Sequence, residues 1–142
     1  MQDKTLDDNQ QEKQKIPEIE LFPDEKIEFY LPKVGYSQSN VGSIEFSTLD
    51  KELIVTNRRI LISYTWLVKQ SFTNAFNFYY NDGYFNDHKK FGNNWLITKY
   101  EVADGCIKLH YKYIGFIDTT AVIYTPKNKE IAAIVDKNAG KI

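Results

Sequence analysis

The chain has one cysteine in 142 residues, Cys106. A lone thiol forms no intramolecular disulfide and cannot build a thiolate zinc cluster. Histidine is almost as scarce, with His88 and His110 the two in the sequence. On a regular strand positions 106 and 110 share a face but stand roughly 13 Å apart, too far for a thiol nucleophile and its base. No GxSxG, HExxH, phosphate-binding loop or dinucleotide fingerprint occurs, so no catalytic residue, metal ligand or cofactor site is expected. No apolar run approaches the roughly eighteen residues of a membrane-spanning helix. The first residues lack the apolar core of a secretion signal, which makes a cytoplasmic protein the expectation. Charge of one sign is also wanting, for the net is −1. Up to Asp24, three lysines face seven acids for a net of −4, which leaves +3 for the rest. That is far below the footprint of a general nucleic-acid binder, and no nucleic-acid partner is expected.

What the chain has in quantity is aromatic residues. Ten Tyr and nine Phe help bring aromatics to 15%, within 42% hydrophobic residues. These side chains favour strands and bury large areas, and a domain of this size removes about two-thirds of its unfolded surface from water. A single aromatic-rich β core follows.

Residues 1–22 are rich in Asp, Glu, Gln and Lys and read as a mobile acidic tail, with a short helix over Asp8 to Lys15 as the alternative. Ile27, Phe29 and Leu31 alternate as a first strand that Pro32 ends, and Lys33 to Asn40 has loop composition. Alternation resumes from Val41 to Thr48, followed by a corner at Leu49-Asp50-Lys51. From Leu53 to Tyr64 two β-branched runs meet at the polar corner Asn57-Arg58-Arg59, where Asn57 can adopt a left-handed turn cheaply. Phe72 to Tyr80 and then Tyr84-Phe85 suit an aromatic hairpin turned at Asp82-Gly83, and His88 to Asn94 reads as a polar loop. Asp104-Gly105 marks a second hairpin between Trp95–Val102 and Cys106–Tyr113, and a last strand covers Thr119–Tyr124. There the period changes to 3.6. Ile131, Ile134, Val135 and Asn138 share one helical face, Thr125 and Pro126 suit the helix start and Gly140 its end. The expected fold is mainly β, a small antiparallel barrel or sandwich of about seven strands with a C-terminal α-helix.

That order of elements resembles the pleckstrin-homology-like (PH-like) superfold. The stretch Glu52-Leu53-Ile54-Val55-Thr56-Asn57-Arg58-Arg59-Ile60-Leu61-Ile62-Ser63 is similar to the pattern of GRAM and bacterial PH domains: a strand ending in threonine, a polar turn with arginine, then an apolar strand. Pro23-Asp24-Glu25-Lys26-Ile27 looks like the start of those domains. The resemblance covers residues 23–64 by motif and 95–142 by element order, and it makes 23–142 the domain, with an aromatic insertion at 65–94. It implies a non-enzymatic scaffold that binds lipids or proteins. Lipid-binding relatives carry basic residues on the loop after the first strand, where this chain offers Lys33.

Three groups of residues are candidates for function. Arg58 and Arg59 can form an anion site, since guanidinium forks match phosphate and carboxylate, or one can pair with a local acid such as Asp50 or Glu52. Lys89 and Lys90 can meet an anionic membrane surface, or belong to a solvated loop. Phe76, Phe78, Tyr79, Tyr80, Tyr84 and Phe85 can present a partner-binding patch, or fill the core. The expected function is a binding or adaptor module for a protein partner. Its alternative is a weak binder of an anionic membrane or phosphorylated ligand through Arg58, Arg59, Lys89 and Lys90.

Overall fold

A computed structural model describes residues 16–40, 45–66, 69–89, 92–113 and 115–139. Seven strands, β1 (Ile27–Asn40), β2 (Glu45–Thr56), β3 (Arg59–Trp66), β4 (Lys69–Tyr79), β5 (Asn94–Ala103), β6 (Cys106–Tyr113) and β7 (Ile117–Tyr124), pair in chain order and close into a barrel. A short helix α1 (Asp82–His88) joins β4 to β5, and the C-terminal helix α2 is Asn128–Asn138. The mainly β fold with a terminal helix is as the periodicity indicates.

The two strongest hairpins form where the sequence places them. Leu53 pairs with Ile62 and Val55 with Ile60 across the Asn57-Arg58 corner. Ala103 pairs with Cys106 around Asp104-Gly105, with Gly105 at φ +73, a conformation that glycine adopts without strain. In β6 the inward Ile107, Leu109 and Tyr111 are buried while Tyr113, at the strand end, is partly exposed. Together with Val34, Tyr36, Leu53, Val55, Ile60, Ile62, Phe78, Trp95 and Ile123 they build the core. Helix α2 lays Ile131, Ala132 and Val135 onto that core, and Asn128 ties its start to the β5–β6 turn through bonds to the carbonyls of Ala103 and Cys106.

Several expectations need correction. β1 does not end at Pro32. It runs on to Asn40, because an extra residue in β1 between Leu31 and Val34 is balanced by one in β2 near Asp50, whose φ is +63. The proline sits in the bulge between Leu31 and Val34, where a missing ladder donor is tolerated. The expected corner at Leu49-Asp50-Lys51 is thus a bulge within a continuous β2. Asn57 keeps a negative φ and acts by hydrogen bonding, with its Oδ1 accepting from the Lys26 amide and its Nδ2 donating to the Asp24 carbonyl.

The largest change concerns residues 65–94. Asp82-Gly83 does not turn a hairpin but opens α1, whose N-cap Asn81 accepts a bond from the Tyr84 amide. The helix is the crossover that lets β5 run parallel to β4, with Asn77 opposite Asn94 and Tyr79 opposite Leu96. The other six junctions are antiparallel. β4 is a stave of the barrel, and α1 lies between it and β5. At the C-terminal helix, Thr125 accepts from the Lys127 amide and so closes the turn before α2, which begins two residues later than expected. Gly140 lies outside the described residues, as do 1–15 of the expected tail.

Candidate functional site

The Thr56-Asn57-Arg58-Arg59 corner is tied to residues 20–25 by charge and hydrogen bonds. Thr56 ends β2 with its hydroxyl turned back into the corner, where it accepts from the amides of Arg58 and Arg59 and donates to Glu25 Oε2 at 2.7 Å. Arg59 closes a bidentate pair on the same carboxylate, Nε to Oε2 at 2.8 Å and Nη2 to Oε1 at 3.1 Å. Its remaining donors reach the Glu20 carbonyl and Asn77 Oδ1. The Glu25 side chain is wholly buried, so a charge held there needs the pairing it has. Arg58 meets Asp24 at 2.6 Å, and the Tyr84 hydroxyl donates to the other Asp24 oxygen. Burial alone would raise the Asp24 carboxyl. The bonds from Tyr84 and Arg58 outweigh it and hold the group below its usual value.

Rings and guanidinium planes stack around these pairs. Arg58 lies 4.3 Å from the centroid of Tyr84, Tyr84 stacks on His88 at 3.9 Å, and Phe22 packs against His88 and beneath Arg59. Residues 20–22, assigned to the mobile tail by their composition, therefore touch the barrel. This clamp fastens residues 20–25 to the outer face of β3 and β4. The outer face is buried too, through Ile54 of β2, Leu61 of β3, and Ala75 and Tyr79 of β4, which lie outside the main core cluster.

The anion-site residues are not assembled. Arg58 and Arg59 are each neutralised by an acid, though by Asp24 and Glu25 instead of Asp50 or Glu52. Glu52 accepts from the Tyr30 hydroxyl, and Asp50 pairs with Lys33 at 3.3 Å on the open surface. Lys89 stands over the Phe85 ring at 5.2 Å, and Lys90 lies outside the described residues. The partner patch is not assembled either. Phe78, Tyr79, Tyr80 and Tyr84 are buried, and half-buried Phe76 is sandwiched between Tyr36 and Trp95. Core packing takes these rings because Phe76 and Phe78 face the barrel interior, while Tyr79 on the opposite face of β4 packs against Tyr84 and Phe85 of α1. Among the described residues no three His, Cys, Asp or Glu are placed to hold a metal ion. Cys106 is buried, and His110 bonds to Glu101 and Thr120.

What the tertiary structure adds is a groove of about 910 Å³ on the outer face of β3 and β4. Residues 18–23 form one wall, Ser71, Thr73 and Gly92–Asn94 the other, and Leu61, Ala75 and Tyr79 an apolar floor. Arg59 lines it with its charge already satisfied by Glu25. The pairing of Asp24-Glu25 with Arg58-Arg59 was visible as two acids and two bases in matching order, but nothing local joins segments 34 residues apart. Comparison of the chain with family models, with curated proteins and with solved structures returned no match.

Proposed function

We propose that this chain is a non-catalytic binding module of the PH-like kind, acting in the cytoplasm, and that its ligand is a segment of a partner protein lodged in the groove between residues 18–23 and the outer face of β3 and β4. The groove itself carries the reading. Its floor is apolar, with hydroxyl and amide groups along one wall, the mixture that an extended peptide needs. Among its described lining residues no nucleophile is paired with a base, which speaks for binding over turnover. Support for the PH-like kind comes from the seven-strand barrel, the terminal helix and the Thr56-Asn57-Arg58-Arg59 corner seated on Glu25.

The test is affinity capture with Thr73→Arg, which fills the groove from an exposed position. A protein retained by the wild type and lost with Thr73→Arg, at unchanged thermal midpoint, supports the groove. Equal retention by both removes it as the binding site.

A further inference from the structure

β4 leaves its ladders along one stretch. Ile62 of β3 pairs with Phe76 and Tyr64 with Ser71, so a step of two residues in β3 meets a step of five in β4. The irregular steps in the β1–β2 and β5–β6 ladders insert one residue each. On its other side β4 pairs with β5 from Asn77 to Tyr79 and no earlier. Among the described residues, positions 72–75 therefore have no register partner on either side. Part of their hydrogen bonding is met locally, by the Ser71 hydroxyl, which accepts from the Thr73 amide, and by Asn77 Nδ2, which donates to the Ala75 carbonyl. A bulge of one residue re-aims a strand, whereas three extra residues leave a length of extended backbone without a ladder.

That stretch borders the groove, where Ser71, Phe72, Thr73 and Ala75 stand beside residues 92–94. The charged residues among the described lining are Glu18, Glu20 and Arg59. Glu25 takes the guanidinium of Arg59, so the lining is acidic, with Glu18 exposed on the wall that faces the stretch.

Taking the groove as the peptide site, we propose that the partner segment lodged in it is extended and cationic: it adds a short strand beside residues 72–75 of β4 and sets a lysine or arginine against Glu18. Strand addition draws its affinity from the main chain, which any sequence supplies, so selectivity falls to the side chains at alternate positions. On one face of the added strand they meet the floor of Leu61, Ala75 and Tyr79, which suits apolar residues. At the wall an acid attracts a cation and repels an anion, which excludes an acidic segment.

The experiment is selection of a random-peptide phage library on the full chain, followed by fluorescence polarisation with the selected peptides as synthetic probes. Selected sequences are expected to be enriched in lysine and arginine over the library, and Thr73→Arg, which fills the groove, should abolish their binding. Glu18→Lys should weaken it about fivefold at low salt, with the difference fading as salt rises. N-methylation of alternate peptide amides should weaken it about tenfold while the intervening amides tolerate the methyl group, the pattern of a strand bonded along one edge. Both variants change exposed positions, and unchanged thermal midpoints show that they fold. Peptides still bound by Thr73→Arg would show that the groove is not the peptide site. Peptides that Thr73→Arg excludes, but that lack a cationic bias or tolerate every N-methyl group, would keep the groove and overturn the cationic added strand. A library that yields no peptide overturns it as well, and dimerisation of the chain abolished by Thr73→Arg would then name a second copy as the occupant.

Discussion

Arg58 and Arg59 are adjacent in the chain, yet their removal should have unequal effects. Arg59→Ala leaves the Glu25 carboxylate buried without its guanidinium, a change that costs about 3–5 kcal/mol when a buried pair is broken. Arg58→Ala exposes a pair whose acid already meets water, and about 1 kcal/mol is expected. Urea unfolding of the two variants measures the difference, and equal midpoints would show that Glu25 finds another partner. Restoring much of the Arg59→Ala loss with Arg59→Met/Glu25→Leu would identify the penalty as that of an unpaired charge, since an apolar replacement of both partners is often tolerated. Which arginine matters was not legible in the sequence. Their neighbours are equivalent on paper, and only the alternation of β3 turns Arg59 toward the buried acid.

At the scale of elements, α1 decides how the barrel closes. It is seven residues long, too short to be stable alone, so its cap and its packing must hold it. Asn81 does both, since its Oδ1 accepts from the Tyr84 amide and its Nδ2 donates to the Ala139 carbonyl at the end of α2. Asn81→Ala should cost about 1–2 kcal/mol by thermal or denaturant unfolding, a cap plus a long-range hydrogen bond. Asn81→Asp keeps the cap acceptor and loses the donor, and should fall between. Asn-Asp-Gly satisfies both a hairpin turn and a helix start, which is why the local pattern pointed to the wrong element. The parallel β4–β5 ladder is the non-local fact that resolves it, because a crossover must lie between parallel strands. The Asp104-Gly105 hairpin was legible because its two flanking strands are regular and adjacent.

For the whole molecule the aromatic core sets the alkaline limit. Burial drives the Tyr36 and Tyr80 hydroxyls well above their ordinary value of 10, and Tyr111 up to about 12. Because the folded values are raised, the unfolded chain loses these protons first as pH increases. Stability is therefore unaffected by them below about pH 10 and declines above it. Phenolate absorbance and circular dichroism followed together should show the buried fraction ionising only as the fold is lost. Ionisation of all ten tyrosines near their ordinary value, with the β signal intact, would contradict a dry core. Among the described residues no helix is long and apolar enough to cross a membrane.

By itself the sequence determined the β class, the two tight hairpins and the amphipathic C-terminal helix, because periodicity and turn chemistry act over a few residues. Tertiary structure alone decided which acids neutralise Arg58 and Arg59, that β5 runs parallel to β4, that β1 passes through Pro32, and that the groove exists. Each of these depends on segments far apart in the chain being brought within hydrogen-bonding or van der Waals reach. Compensating bulges, long-range ion pairs and a crossover leave no periodic trace, so only closure of the barrel could reveal them.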